Sequence, residues 1–277
     1  MNSVNKTLYI PLYGKAAVSK RGIILHDPKA ELIWEKEGFT LHGKAKSKWL
    51  TYYMGMRSAV FDRWVREQLE NTPEALVLHI GCGMDSRVER IGKKETVWYD
   101  VDFPSVIEER RKYYRETENY RMLAADARQT DWIRELPACE HAVVVMEGVS
   151  MYFQIPELLK LLTGLKEHFD NLTLLMDCYT EFAVKAKASK YKNPIKDVGA
   201  QATSGLDDPT KLADSTGMRF TGELDMTPDD LVDELKGFER AFFKTVLGGK
   251  MSKKMYRLYE FKTKETRREH GDTEKTV

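Results

Sequence analysis

Glycines and carboxylates recur in this chain at the ends of short apolar runs, a pattern suited to holding a nucleoside. Leu76-Val77-Leu78-His79-Ile80 leads into Gly81-Cys82-Gly83-Met84-Asp85-Ser86-Arg87, and Thr96-Val97-Trp98-Tyr99 leads into Asp100-Val101-Asp102. The first run is short and aliphatic, which fits a buried strand better than a helix. Gly81 and Gly83 let the backbone turn sharply and approach a ligand closely. The acids follow at about 20 residues, where the second strand of a βαβ unit presents a carboxylate to ribose hydroxyls. A tight connection with no ligand would use the same glycines, so the turn alone does not decide.

Two neighbouring residues narrow the ligand. A dinucleotide fingerprint asks for a third Gly or Ala where this chain has Ser86. Asp85 adds a negative charge beside the turn, which would repel a pyrophosphate and suit an ammonium or sulfonium. Together they favour methyl transfer from S-adenosylmethionine over hydride transfer from a nicotinamide.

Further acids stand at later strand ends. Asp126-Ala127-Arg128 follows a run ending at Ala124, and an acid there can accept the exocyclic amine of adenine while the Ala127 N–H faces a ring nitrogen. A helix N-cap is the competing role for Asp126, as it is for Asp102 before Phe103-Pro104. Glu147 follows Val143-Val144-Val145-Met146, and a carboxylate at the end of a buried strand calls for a partner. That partner is either a cationic ligand or a protein cation such as Arg57. Asp177-Cys178-Tyr179 would face the reacting end of the cleft. None of the six histidines falls at a strand end; His79 reads as a packed core residue and His141 as the wrong end of its strand.

The elements that position these residues alternate. Strands are expected over Ala75–Ile80, Thr96–Tyr99, Tyr120–Ala124, His141–Met146 and Leu172–Asp177, with helices after Ser86, over Ser105–Thr117, near Asp131–Glu135 and over Pro156–Phe169. Repeated βαβ units imply an α/β fold with a doubly wound, mostly parallel sheet, whose ligands sit beyond the carboxyl ends of the strands. Residues 1–70 read as helices: a short one around Tyr13–Val18, one capped by Asp27 with Pro28 in its first turn, and a long amphipathic one from Trp49 to Leu69 that carries Arg57. Residues 178–217 break the alternation and are expected to form an inserted cap. Beyond it the pattern suggests a strand over Arg219–Leu224, a helix over Pro228–Leu235 capped by Thr227, a helix over Phe238–Val246 and a last strand over Lys254–Lys262. We expect a single domain over 1–265 and a charged tail over 266–277.

Composition excludes little but is consistent. Among 277 residues the formal net charge is +1, so no global field draws the chain to nucleic acid or a membrane surface. No apolar run approaches a membrane span, and no basic segment followed by an apolar core suggests a secretory signal. Cys82, Cys139 and Cys178 have no metal-ligand spacing, and small buried thiols in a reducing cytoplasm are the expectation.

In order and spacing these pieces resemble the leucine carboxyl methyltransferase family of class I S-adenosylmethionine-dependent enzymes, which also contains bacterial O-methyltransferases of polyketide biosynthesis. The matching residues are Arg57, His79 through Arg87, Tyr99-Asp100-Val101-Asp102-Phe103-Pro104, Ala124-Ala125-Asp126, Glu147-Gly148-Val149-Ser150-Met151-Tyr152 and Gly205-Leu206-Asp207-Asp208-Pro209. The resemblance implies a Rossmann-like methyltransferase fold. It implies that Arg57 holds the cofactor carboxylate and that Gly81 and Gly83 pack against its methionine part. Asp102 would bind ribose, Asp126 and Ala127 adenine, and Glu147 would face the amino end. Lys15 is the nearest match to a basic cofactor contact near the N-terminus. The wording of the Glu147 element looks closer to bacterial members acting on small molecules than to those that methylate a protein C-terminus.

Methyl transfer from a sulfonium is an in-line displacement that depends mainly on alignment. A carboxylate acceptor is ionised at neutral pH and needs no base; a phenol, with a pKa of about 10, usually needs one. The absence of histidine at the strand ends favours a carboxylate, although Tyr152, Tyr179, Tyr191 and Lys192 remain candidates for acid–base work. Lys185, Lys187, Lys190 and Lys192 could attract an anionic acceptor or simply form a solvated helix face. A small-molecule or carboxyl O-methyltransferase is the leading expectation. A protein C-terminal carboxyl methyltransferase and a cofactor-binding regulator without turnover are the alternatives.

Overall fold

The computed structural model describes residues 3–38, 41, 43–188 and 204–263. The chain opens with three helices, α1 (Ser3–Lys20), α2 (Pro28–Glu37) and α3 (Lys48–Asn71). Strands and short helices follow: β1 (Leu76–Ile80), α4 (Arg87–Ile91), β2 (Trp98–Asp102), α5 (Pro104–Arg110), β3 (Tyr120–Ala124), β4 (His141–Met146), α6 (Ile155–His168) and β5 (Asn171–Tyr179). The remainder comprises α7 (Glu181–Ala188), α8 (Pro209–Thr216), β6 (Met218–Leu224), α9 (Asp229–Asp233), α10 (Gly237–Phe242), α11 (Lys250–Met255) and β7 (Tyr256–Thr263).

The seven strands form one sheet in the order β3-β2-β1-β4-β5-β7-β6. The first five are parallel, and β7 runs antiparallel between β5 and β6. The expected doubly wound, mostly parallel sheet is therefore present. Its central strands are apolar along their length because both faces are covered. Val77, Val143, Val145 and Leu175 point to the face under α1 and α3, and Leu78, Ile80, Val144 and Met146 to the face under α6. Strand order reverses at β1 and β4, so a crevice opens beyond their carboxyl ends.

The helical layer over this crevice is built by close approach. Gly14 of α1 lies against Met54 of α3, where an added Cβ would sit 2.6 Å from the methionine Cβ; Gly55 likewise receives Val18. The helix around Tyr13–Val18 is thus an 18-residue α1 that accommodates Pro11, rather than a short turn. Asp27 caps α2 through the Ala30 N–H with Pro28 in the first turn, as expected.

Several boundaries differ from expectation. β2 runs on to Asp102, because Asp100 is buried against Arg110, Tyr120 and Trp98 instead of ending the strand. α5 stops at Arg110, and α9 begins at Asp229 with Pro228, not Thr227, at the cap position. α10 passes into a π-helical turn over Phe243–Leu247, and α11 ends at Met255, so the last strand starts at Tyr256. α8 packs on α6 and β6 with Leu212 and Ala213 in the core. Residues 189–203 of the expected cap, with Lys190, Tyr191 and Lys192, and the tail from 264 lie outside the described residues.

Candidate active site

A cavity of about 630 Å³ opens at the carboxyl ends of the strands, within the range usual for small-molecule sites. Lys15, Arg57, Gly81, Gly83, Asp85, Asp102 and Glu147 all line it. So do Tyr152 and Tyr179. Asp126 and Ala127 are not among the lining residues. Asp126 is instead clamped by Arg128, whose backbone N–H and guanidinium both donate to it, and this pair holds its carboxyl below the usual range.

The glycine turn is set by backbone geometry. Gly81 has φ +70°, and a Cβ there would fall 2.6 Å from Val149. No side chain fits either the angle or the space. The Gly83 N–H donates to Asp102 Oδ2 at 2.8 Å and the Phe103 N–H to Oδ1 at 2.7 Å. Asp102 thus serves both the turn and the following chain. Burial pushes its carboxyl up to about 6 against the pull of these two N–H groups.

Beneath the cavity runs a buried ion network. Glu147 accepts from Arg57 Nε at 3.1 Å and from Arg87; Arg57 Nη1 donates to Asp177 Oδ2 at 2.9 Å. Asp177 also accepts the Gly148 N–H at 2.6 Å. Gly148, at φ +71°, has no Cβ because Arg57 Nη2 would lie 3.0 Å from it. Asp85 pairs with Lys15 and, at 3.0 Å, with Arg90, and it accepts the Arg87 N–H at 2.7 Å. Asp62, one turn and a half beyond Arg57 on α3, holds Arg87 and Arg90. Burial opposes the charge on Glu147, but Arg87 and Arg57 outweigh it and hold the carboxyl at about 2. Arg90, Lys15 and Arg87 do the same for Asp85, well below the usual carboxylate range.

This network changes two readings. The partner of Glu147 within the protein is a pair of arginines, one of them Arg57, so the buried carboxylate does not by itself require a cationic ligand. The charge of Asp85 is matched by Lys15 and Arg90, so it is not a bare anion beside the turn. Lys15 on Asp85 and the two arginines on Glu147 come from 60 to 90 residues away in the sequence, and only Arg90, five residues on from Asp85, is local.

The other wall of the cavity was not visible in the sequence. Leu50, Tyr53 and Met54 come from α3, Met226 from the β6–α9 turn, Leu247 from the π-helical turn, and Met251, Ser252, Met255 and Tyr256 from α11 and the start of β7. Tyr256 Oη donates to Tyr179 Oη at 2.8 Å, and the rings meet edge to face. Burial pushes the phenols of Tyr152, Tyr179 and Tyr256 above their ordinary range, and that of Tyr53 up to about 12. At neutral pH they are hydrogen-bond donors, not bases. His79 lies between Asp100 and Arg87 at 1% exposure, and burial lowers its pKa. Among the described residues no group of three or more His, Cys, Asp or Glu could hold a metal ion, and no helix is long and apolar enough to cross a membrane.

In sequence and fold the chain is similar to known proteins. A family described as Leucine carboxyl methyltransferase matches residues 12–166. The chain is 27% identical over 243 residues to the tetracenomycin polyketide synthesis O-methyltransferase TcmP of Streptomyces glaucescens, covering 87% of this chain and 89% of that protein. It is 26% identical over 233 residues to the S-adenosyl-L-methionine-dependent methyltransferase dpfgK of Gibberella zeae, covering 76% and 78%. In fold it is similar to the plantazolicin methyltransferase BamL, solved with a triazolic desmethylPZN analog and SAH, at TM-score 0.54 and 12% identity over 95% of this chain and 98% of that one.

Proposed function

This chain belongs to the leucine carboxyl methyltransferase family, and we propose that it methylates an ionised oxygen, best a carboxylate, of a small molecule in the cavity at the strand ends. It is an S-adenosylmethionine-dependent methyltransferase of class I fold. The residues present fit that cofactor. Asp102 presents a carboxylate at the cavity wall, the Gly81 turn excludes any side chain, and Arg57 Nη2 has no hydrogen-bond partner among the described residues. Arg57 would hold the cofactor carboxylate, Asp102 the ribose hydroxyls, and Gly81 and Gly83 would pack on the methionine part. Lys15 closes the turn side through Asp85. Glu147 acts by fixing Arg57. Asp126 and Ala127 would meet adenine only at the outer end, with Arg128 holding the carboxylate.

Bound S-adenosylmethionine supplies an electrophilic methyl group on a sulfonium centre. The protein's part is to align the acceptor oxygen, exclude water and leave the acceptor's charge exposed to the donor. The observation that carries the carboxylate reading is the protonation of the wall. Tyr152, Tyr179 and Tyr256 stay protonated, His79 is enclosed, and the lining carboxylates are held by arginine, lysine or backbone N–H groups. No described lining residue is placed to take a proton from a phenol of ordinary pKa. An acceptor that arrives ionised fits, as a carboxylic acid does.

Two measurements test this. Calorimetry with S-adenosylhomocysteine should show one site per chain, and the absence of binding removes the methyltransferase reading. Methyl transfer from isotopically labelled cofactor to carboxylic acids should yield esters that hydrolyse in alkali. Ethers formed on phenols instead would refute the carboxylate reading.

A further inference from the structure

The glycine turn meets the cavity on one side and the end of α5 on the other. Two successive carbonyls of the turn are taken by side chains from that end. Arg110 Nη1 donates to the Gly83 carbonyl at 3.0 Å, and Tyr114 Oη donates to the Met84 carbonyl at 3.2 Å. Gly83 and Met84 line the cavity; Arg110 and Tyr114 do not, and both are buried. The Gly83 N–H is held by Asp102. The turn therefore has two kinds of anchor: a carboxylate at the cavity wall, and a pair of side chains behind it that are out of a ligand's reach.

That pair is built as one unit. The Tyr114 N–H donates to the Arg110 carbonyl at 3.0 Å, and the Arg110 guanidinium carbon lies 4.0 Å from the Tyr114 ring centroid. Stacking of this kind restrains both side chains. Arg110 also donates through Nη2 to Asp100 and through Nε to Tyr120 Oη at 3.2 Å. Its three nitrogens thus reach three places: the turn after β1, strand β2 and strand β3. A planar fork with donors in fixed directions can do this, and a lysine ammonium cannot. Burying a guanidinium is costly, and an apolar contact would join α5 to the sheet at less expense. The apolar contact would lack a donor for the Gly83 carbonyl and a positive charge behind Asp102. The groups that face Asp102 are the N–H groups of Gly83 and Phe103, the Arg110 guanidinium and the like charge of Asp100; burial opposes the ionised form, and Arg110 favours it.

We propose that Arg110 and Tyr114 are positioning residues for the cofactor, holding the glycine turn from behind in the shape that receives it. This rests on the methyltransferase reading above and extends it to residues outside the cavity. A turn fixed before binding spends none of the binding energy on being ordered.

The test measures S-adenosylhomocysteine binding to full-length variants by calorimetry, well below their melting temperatures. Tyr114→Phe keeps the ring and removes one donor. It should weaken binding about 3- to 10-fold, the effect of one neutral hydrogen bond, with one site per chain retained. Arg110→Lys keeps the charge and loses the fork, and should weaken binding more than Tyr114→Phe does. Ile33→Val, a change at a fully buried position of α2 away from the cavity, is the control. It should lower the melting temperature and leave affinity unchanged. A merely structural role predicts a different pattern: fewer competent sites, each with wild-type affinity. That pattern in Tyr114→Phe would overturn the assignment, as would wild-type binding by Tyr114→Phe or an equal loss of affinity in Ile33→Val. Tyr114→Phe carries the decision if Arg110→Lys does not fold. If the wild type binds S-adenosylhomocysteine and Tyr114→Phe binds it equally well, only the positioning role fails. If the wild type does not bind it, the methyltransferase reading fails as well.

Discussion

Glu147→Gln isolates the charge that joins Arg57 to Arg87. Glutamine keeps the shape of the side chain and reproduces the protonated carboxyl, so the comparison removes the ionised form and little else. Glu147 is held at about 2 against an ordinary value of 4.5. That difference is worth on the order of 3 kcal/mol of folding stability at pH 7, in line with the cost of breaking a buried ion pair on one side. The sign follows from where the proton binds. The unfolded chain protonates near 4.5 and the folded chain only near 2, so the advantage of the wild type is complete above about pH 5 and fades as pH falls towards 2. Urea unfolding of both proteins should show a gap of about 3 kcal/mol at pH 7, narrowing to about 2 kcal/mol at pH 3.5. A gap that stays constant over that range, or one below about 1 kcal/mol at pH 7, would refute the view that Glu147 is ionised and paired in the folded protein.

Three further outcomes are expected. Gly81→Ala forces a side chain to φ +70° and into Val149; it should cost at least about 2 kcal/mol in chemical denaturation and weaken S-adenosylhomocysteine binding in calorimetry. Gly14→Ala drives α1 off Met54 and should lower stability by about 1–3 kcal/mol, read from the same unfolding curves. Asp102, pushed up to about 6 by burial, loses its charge as pH falls through that value. Affinity for S-adenosylhomocysteine, measured by calorimetry from pH 8 to 5, should hold at the upper end and decline below about pH 6. Stability of the ligand-free chain shifts the opposite way at this residue, because the folded state takes up the proton first and is relieved of a buried charge.

Strands with one chemical character were readable in advance. β1 and β4 are filled with aliphatics and β3 is a short run of mixed character, and the limits of all three match the structure within a residue. β2 was cut short because Asp100 reads as a strand end until Arg110 and Tyr120 are known to enclose it. α1 was underread because Pro11 and Gly14 interrupt its pattern, while the reason for Gly14 is a methionine 40 positions later. In the site, the place of the glycine turn and of Asp102 at the cavity was legible because it is tied to local spacing. Arg57 was named as a possible partner of Glu147 and is one, whereas Arg87 on Glu147 and Lys15 on Asp85 were not foreseen, since ion pairs between distant elements leave no periodicity. Ser252 lies on a short helix after a π-helical turn, which carries no amphipathic repeat, and Tyr256, though within the expected last strand, is brought to the cavity only by the fold.

The place of β7 has a consequence for how the protein is made. β6 precedes β7 in the chain, yet among the described residues its one neighbour in the sheet is β7, which stands between it and β5. The order of synthesis is therefore not the order of assembly. Five parallel strands can pair before β7 is made, whereas β6 can join the sheet only through β7. Tyr256, which opens that strand, meets Tyr179 through the β5–β7 pairing. A chain that stops before β7 carries the glycine turn and Asp102 but lacks Tyr256 and so one wall of the cavity.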